Sequence, residues 1–170
     1  MRVLKQDFYA VKHTALIIHA PFSGRILPQR ESSNPLVSNQ LLGLGVELEV
    51  SNYQLYAPFN GTLLSVNQGG LEFIFKSKQG VKLLVLITLK DDFGPMTGFK
   101  QHFKLGEQFS AGQLIASFDF RKQQHTVHAS VLLLDTERLN KVLDKCYYQA
   151  NRVTAGNDIL FKLTKRINHD

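Results

Sequence analysis

The sequence predicts an all-β protein, an antiparallel β-sandwich or barrel with short helices at its periphery. A phrase of strand, turn and strand, "LIIHAPFSGRIL" at residues 16–27, returns at residues 53–66 as "YQLYAPFNGTLLSV". In both copies a Pro and a Gly place a turn between two apolar runs, which is typical of a strand corner. Twelve Phe and five Tyr, with abundant Val, Leu and Ile, also favour strands.

A second repeated phrase lies further along the chain. "EQFSAGQLI" at residues 107–115 matches "NRVTAGNDI" at residues 151–159, with Ala-Gly at the same place in each. The Gly permits a turn with positive φ between two short strands. Two doubled turns in one chain predict a doubled β scaffold.

A hairpin is predicted at residues 71–89, "LEFIFKSKQGVKLLVLITL". If Lys78 and Gln79 form a two-residue loop, Leu71 lies opposite Leu86 and Phe73 lies opposite Leu84. Because strand side chains alternate between faces, this register places all four apolar side chains on one face. Such a face is either part of the core or a binding surface.

One helix is predicted at residues 135–148, "DTERLNKVLDKCYY". Asp135 is a suitable N-cap, and Leu139, Val142 and Leu143 form an apolar stripe that would cover the sheet. Cys146, the single cysteine, would be an inert and half-buried thiol on this helix.

Composition excludes several classes of protein. One cysteine leaves no intramolecular disulfide and no cysteine-based zinc site, which fits a reducing compartment. No apolar run suits a signal peptide or a membrane span, so we expect a cytoplasmic protein. The net charge is +6, but the basic residues are scattered along the chain, which argues against nucleic acid as a partner.

Several motifs in one order resemble the glucose-type enzyme IIA domain of the bacterial phosphoenolpyruvate-dependent sugar phosphotransferase system. They run through most of the chain, from about Ile18 to Lys165, so we expect one domain at residues 18–167 after an N-terminal extension at residues 1–17. The motifs are "APFSGRI", "LLGLGVEL", "YAPFNGTLLSV", "GVKLLVLITL", the pair Gly98-Phe99 and "GEQFSAGQLIASFD".

The resemblance implies a duplicated hybrid β-sandwich and a phosphoryl relay. In that relay a histidine receives the phosphoryl group from HPr and passes it to a sugar-specific IIB domain, while a second histidine helps to hold the phosphate. By the alignment, the family's two histidines fall on Leu71 and Leu86, and a threonine of the site falls on Gly69. Leucine has neither a lone pair nor a donor. We therefore expect no phosphoryl transfer, and the sequence implies no cofactor and no metal.

The resemblance also implies a docking face with altered charge. Acidic residues of the family fall on Asn34 and Lys90, a change that disfavours the former partner. The apolar positions of the rim are kept, so we expect a regulator that binds another protein through an apolar face. HPr and a IIB domain are weaker candidates for that partner. The predicted face consists of Leu36, Val37, Leu41, Leu42, Leu71, Phe73, Leu84, Leu86 and Lys90.

Alternative functions rest on the remaining histidines or on reuse of the scaffold. A relay through a non-equivalent histidine would keep the chain a sugar-transport component, and a structural or nucleic-acid-associated role would use the scaffold alone. The motifs of lysostaphin-type zinc peptidases are absent, and Lys78 lacks the neighbours of a biotinyl or lipoyl lysine. We expect structural roles for all six histidines, which are His13, His19, His102, His125, His128 and His169.

Overall fold

The computed structural model describes residues 1–67, 69–89, 98–121, 123, 125–149 and 151–166. Within these residues the chain forms fifteen strands, two one-turn α-helices and two 3-10 turns, Phe8–Ala10 and Gln29–Glu31. The helices are α1 (Pro35–Ser38) and α2 (Thr136–Leu139). The strands are β1 (Arg2–Lys5), β2 (Thr14–His19), β3 (Gly24–Pro28), β4 (Leu44–Val50), β5 (Gln54–Tyr56), β6 (Gly61–Val66), β7 (Glu72–Ser77), β8 (Lys82–Thr88), β9 (Lys100–Gln101), β10 (Gln108–Phe109), β11 (Leu114–Ser117), β12 (His128–Leu133), β13 (Leu143–Tyr148), β14 (Arg152–Val153) and β15 (Ile159–Lys165).

The strands form three sheets, which confirms the all-β, sandwich-type fold class. The largest sheet has eight strands in the order β10-β6-β7-β8-β12-β4-β3-β14. A four-stranded sheet, β1-β13-β15-β2, and a three-stranded sheet, β5-β11-β9, complete the fold. All described pairings are antiparallel except the one between β1 and β13.

The doubled scaffold predicted from the repeats is present as an approximate two-fold relation. Each copy of the first phrase turns from one sheet into another, from β2 into β3 and from β5 into β6. His19 N–H donates to the Pro58 carbonyl at 2.7 Å, and Tyr56 N–H donates to the Pro21 carbonyl at 2.9 Å. These two bonds join equivalent positions of the two copies, so each corner hydrogen-bonds to the other.

The second pair of repeats meets at the same seam. Gly112 N–H donates to the Ala57 carbonyl, and Gly156 N–H donates to the Ala20 carbonyl, at 2.9 and 2.8 Å. Both glycines have positive φ, 81° and 69°. A Cβ added at Gly112 would lie 2.9 Å from the Gly156 carbonyl oxygen. Position 112 therefore requires glycine, because its φ is positive and because the backbone of Gly156 lies close to it.

The core consists of two apolar clusters on opposite sides of the eight-stranded sheet. The larger one, the main core, fills the space between the sheets and contains the fully buried Phe22, Phe73, Phe75, Phe120 and Phe161. The smaller one, the outer apolar cluster, lies under α1. It comprises the buried Val37, Leu84 and Leu132 and the half-buried Leu42, Ile74, Leu86 and Leu134.

The helix predicted for residues 135–148 is wrong beyond its first turn. α2 ends at Leu139, and Leu143–Tyr148 is strand β13, paired with β1 and β15. Asp135 stands at the N-cap position but makes no capping bond, since its φ is 53°. Pairing on both edges overrides the helical pattern of the segment. Cys146 lies on this strand and is fully buried, which raises the pKa of its thiol.

The N-terminal residues join the fold through backbone pairing. β1 pairs with β13 from Arg2 opposite Lys145 to Lys5 opposite Tyr148. β2, which begins at Thr14, pairs with β15 in the same sheet. The boundary predicted between residues 17 and 18 therefore falls inside β2. Among the described residues, no helix has the length and apolar character that a membrane crossing requires.

Candidate functional site

The two positions that the resemblance assigns to histidines lie on neighbouring segments of the eight-stranded sheet. Leu71 immediately precedes β7, and Leu86 lies in β8. The Ile87 N–H donates to the Leu71 carbonyl at 2.7 Å, so the backbones of the two segments are in direct contact. Both leucine side chains are half-buried.

The register predicted for this hairpin is wrong by one residue. Glu72, rather than Leu71, lies opposite Leu86, and Phe73 lies opposite Val85. The loop has three residues, since Ser77 N–H donates to the Val81 carbonyl and Gly80 takes a φ of 85°. A type I turn followed by a left-handed residue is the usual form of such a loop.

The shift separates the side chains that were expected on one face. A slip of one residue moves a strand's whole apolar set to the other side of the sheet. Phe73 is fully buried in the main core and stacks on Phe75 with ring centroids 6.3 Å apart. Leu71 packs against the main core, whereas Leu84 and Leu86 belong to the outer apolar cluster. The prediction that Phe73 belongs to a docking face is therefore wrong.

A partly exposed apolar surface remains on the outer side of the sheet. Leu36 and Leu41 are 49% and 70% exposed, and they adjoin the buried Val37 and the half-buried Leu42 in the chain. Ile74 and Leu86 are half-buried in the same cluster. We call this set the α1 surface: Leu36, Leu41, Leu42, Ile74 and Leu86. Lys90, the remaining residue of the predicted face, lies outside the described residues.

Two polar side chains hold α1 in place, those of Gln29, which the sequence analysis did not single out, and of Asn34. Gln29 is 6% exposed, and its amide donates to the carbonyls of Val37 and Gly43, both at 2.9 Å. Its side-chain oxygen accepts from Gly45 N–H at 2.9 Å. Asn34 caps α1 by accepting from Leu36 N–H at 3.0 Å. The sequence "NPLVS" carries the capping signal, an Asn followed by Pro.

The segment before Leu71 is held by an asparagine. The side-chain oxygen of Asn67 accepts from the N–H groups of Leu71 and Glu72, at 2.9 and 3.1 Å. Gly70 has a φ of 65°, and a Cβ there would lie 2.8 Å from the Phe99 ring. The tight connection between β6 and β7 therefore requires glycine at position 70.

A buried acid lies on the same side of the sheet as Leu86. Glu47 is fully buried and accepts from the Ser130 hydroxyl at 2.7 Å, and Ser130 is the β12 partner of Leu86. Burial raises the pKa of Glu47, while the bond from Ser130 and the nearby Ser32 and His128 oppose that rise. Nothing in the sequence analysis singled out this cluster, since its members come from distant segments.

A sequence profile of one known family matches residues 16–138, well over half of the chain. That family is described as phosphoenolpyruvate-dependent sugar phosphotransferase system, EIIA 1. The chain belongs to this EIIA family. Glucose permease IIA from Mycoplasma capricolum has a similar structure, with a TM-score of 0.72 at 20% sequence identity. The likeness covers 87% of this chain and 94% of that chain, and it shows a shared fold.

The histidines of this EIIA-family chain lie in different environments. His128 begins β12, and its Nδ1 is 3.7 Å from the Glu47 Oε1. His102 Nε2 is 3.1 Å from the Ser117 hydroxyl, and the His19 Nδ1 is buried without a hydrogen-bond partner. His13 is exposed, with a φ of 56°. His169 falls outside the described residues.

Metal-ligating residues do not converge in this EIIA-family chain as far as the structure describes it. In those ranges no three side chains of His, Cys, Asp or Glu come close enough together to hold an ion. His125 and His128, which are three residues apart, lie in a bend and at the start of a strand rather than on a helix. The i and i+3 spacing places two ligands on one side only in a helix.

Proposed function

We propose that this EIIA-family protein does not carry a phosphoryl group and instead binds another protein through the α1 surface. The observation that carries the proposal is the residue type at positions 71 and 86, which the resemblance assigns to histidines. Leucine cannot act as a nucleophile or donate a hydrogen bond to a phosphoryl oxygen. A chain with this defect would stay in the unphosphorylated form and act on its partner constitutively.

The exposed apolar area supports the second half of the proposal. Leu36 and Leu41 keep about half or more of their surface in water, next to the half-buried Leu42 and Leu86. Apolar side chains grouped in this way are typical of a protein-binding surface. Asn34, where the family has an acidic residue, uses its side chain to cap α1 and brings no charge to the rim. That change disfavours a basic partner such as HPr.

Phosphoryl transfer is the first test. The purified chain is incubated with labelled phosphoenolpyruvate, enzyme I and HPr, and acid-labile phosphohistidine is measured. We expect no label on the wild-type chain, whereas a functional enzyme IIA domain in the same reaction becomes labelled. Stoichiometric labelling of the wild-type chain would contradict the proposal. A Leu71→His and Leu86→His double variant shows whether the surroundings still accept HPr.

Partner binding is the second test. Leu41→Asp places a charge on the most exposed side chain of the α1 surface, and Leu105→Asp makes the same change at a residue outside that surface that is 59% exposed. Proteins retained by the wild-type chain are compared with those retained by each variant. We expect Leu41→Asp to lose a partner that Leu105→Asp keeps. Equal retention by both variants would show that the α1 surface is not the binding site.

A second candidate function is phosphoryl relay through His128. Its imidazole lies 3.7 Å from a buried carboxylate, and a carboxylate can orient an imidazole for nucleophilic attack. His128 pairs with Thr88, two residues from Leu86, so it lies on the same part of the sheet. If the labelling experiment gives phosphohistidine, His128→Gln abolishes it under this alternative.

A further inference from the structure

The net positive charge of the chain is concentrated in two segments that the fold brings together. Residues 1–19 and 141–166 contain nine Lys and Arg and three Asp, a net +6 that equals the formal charge of the whole chain. All other residues contain eleven charges of each sign. The two segments are far apart in the sequence, but β1, β2, β13 and β15 form one four-stranded sheet, while Arg152 lies in β14 of the eight-stranded sheet. Most of this charge therefore lies on or beside one sheet.

A cleft of about 300 Å³ opens on this basic sheet, between the connection that precedes β2 and the ends of β13 and β15. Three cationic residues line it, Lys12, Lys165 and Arg166. His13, Tyr147 and the acidic Asp144 also contribute to its walls. None of these residues belongs to the α1 surface, so the cleft is separate from the site proposed for protein binding.

The cations of the cleft lack counter-ions in the described part of the chain. No ion pair with a described residue is made by Lys12, Lys165 or Arg166. Asp144, the acid in the cleft, lies 3.6 Å from the Nζ of Lys145. Three like charges around one small cleft repel each other, and a bound anion relieves that repulsion.

The backbone holds the walls of the cleft in place. Lys165 N–H donates to the His13 carbonyl, and Arg166 N–H donates to the Val142 carbonyl, both at 3.1 Å. His13 has a φ of 56°, a left-handed conformation that residues with a Cβ rarely adopt. Unusual backbone conformations of this kind are concentrated at ligand sites. Backbone hydrogen bonds therefore fix the positions from which the side chains of Lys165 and Arg166 extend.

We propose that this cleft binds the phosphate group of an anionic ligand, either a soluble phosphate ester or the headgroup of a phospholipid. A phosphate group offers several strong acceptor oxygens, and a guanidinium can donate to two of them at once. The two lysine ammonium groups add point charges from other directions. The proposal does not depend on whether the chain carries a phosphoryl group itself.

Titration with inorganic phosphate tests the site. The full-length, ¹⁵N-labelled chain is titrated with sodium phosphate at constant ionic strength, and the amide signals of His13, Lys165 and Arg166 are followed. We expect saturable shifts at these residues, and a Lys12→Gln and Arg166→Gln double variant should bind about tenfold more weakly because two charged partners are lost.

A charge-matched control separates a site from general attraction. Lys76→Gln and Lys78→Gln together remove two exposed lysines from the hairpin of β7 and β8. We expect phosphate binding by this control to equal that of the wild-type chain. Shifts that do not saturate, or an equal loss in both double variants, would overturn the proposal. If the first variant unfolds, as judged by circular dichroism, Lys165→Gln replaces it.

Two further probes distinguish the possible ligands. Glycerol 3-phosphate represents a soluble ester, and vesicles of phosphatidylglycerol with phosphatidylcholine present a phospholipid headgroup. Binding of glycerol 3-phosphate without sedimentation on vesicles supports the soluble ester. If the chain sediments with the vesicles, if added phosphate inhibits this, and if the Lys12→Gln and Arg166→Gln variant no longer sediments, the ligand is the headgroup. The absence of both responses would overturn the proposal.

Discussion

Ionisation of the Glu47 carboxyl group opposes folding. Its side chain is fully buried, and burial raises the pKa of its carboxyl group. The folded chain therefore retains a proton over a pH range in which the unfolded chain has lost it. By linkage, this residue makes the free energy of unfolding fall as the pH rises from the ordinary carboxyl pKa through the raised one.

Glu47→Gln should remove that pH dependence. The amide oxygen of Gln can still accept from the Ser130 hydroxyl, and no charge has to be buried at neutral pH. As the pH rises above the ordinary carboxyl pKa, we expect the free energy of unfolding to fall less in this variant than in the wild-type chain. Urea unfolding at several pH values measures the free energy of unfolding of both proteins.

Glu49, two residues further along β4, provides a control of opposite sign. A bond from Arg25 at 2.7 Å lowers the pKa of Glu49, so its stabilising effect is present at neutral pH and is lost on acidification. Glu49→Gln should therefore leave unchanged the fall in the free energy of unfolding that Glu47 causes as the pH rises. It should reduce the loss of stability on acidification. The same response from both variants would contradict the assignment to Glu47.

Phe73 tests whether the corrected register is right. Its ring is fully buried and meets the rings of Phe75, Phe99 and Phe118 at centroid distances of 6.3, 6.1 and 6.0 Å. Removing a buried aromatic ring leaves a cavity, so Phe73→Ala should lower the free energy of unfolding by about 3–5 kcal/mol. Leu41→Asp on the exposed surface should change it by less than about 0.5 kcal/mol. Denaturant unfolding distinguishes the two positions.

At the scale of the element, the hairpin of β7 and β8 shows how one glycine sets a register. The sequence predicts both strands, because their apolar runs are long and the turn residues are clear. Loop length is harder to predict, since the same stretch allows a two-residue loop of Lys78 and Gln79 or a three-residue loop that also includes Gly80. Gly80 decides between them by taking a left-handed conformation.

Gly80→Ala should destabilise the hairpin through backbone conformation alone. A Cβ at this position would have the Arg138 guanidinium as its nearest neighbour at 3.7 Å, which is an ordinary contact. The cost of a left-handed φ for alanine is about 1–2 kcal/mol, and we expect a loss of that size in the free energy of unfolding. Gly80→Asn should lose less, since Asn tolerates this conformation better. An unchanged stability in Gly80→Ala would show that the loop has another form.

The segment around β13 shows a different limit of sequence reasoning. Leu139, Val142 and Leu143 have helical spacing, yet Val142 is 60% exposed and the strand begins one residue later. The deciding interactions come from β1 and β15, whose residues are distant in the sequence. No local pattern records those partners, so tertiary pairing overrides the helical periodicity.

At the scale of the whole molecule, the repeats made the fold class and the doubling predictable. Each copy of the phrase occupies an equivalent corner, because Pro, Gly and the flanking apolar runs impose the same local structure twice. The α1 surface was predictable only in part, since Leu36 and Leu41 come from one segment and Leu86 from another. The buried Glu47 and the basic cleft depend on contacts between remote strands, which one sequence does not reveal.

The seam between the two halves gives a prediction at this scale. Gly112→Ala adds a Cβ 2.9 Å from the Gly156 carbonyl oxygen, in addition to the unfavourable φ. Gly106 has a similar φ of 77°, but a Cβ there meets nothing within 4 Å. Both variants should lose about 1–2 kcal/mol from conformation, and Gly112→Ala should lose more because the segment of Gly112 must also move away from that of Gly156. Equal midpoints of urea unfolding would show that the seam is not tightly packed.

The exchanged bonds between His19 and Pro58 and between Tyr56 and Pro21 are what an isologous interface contains, since each side gives the other the same pair of contacts. In that sense the chain is built as a dimer whose two subunits are covalently joined. Each copy of the first phrase also depends on a distant segment, since Ala20 accepts from Gly156 N–H and Ala57 accepts from Gly112 N–H. If the chain is divided in the loop between β7 and β8, both phrases are separated from these partners. Each piece should therefore be recovered in folded form only when both pieces are made together.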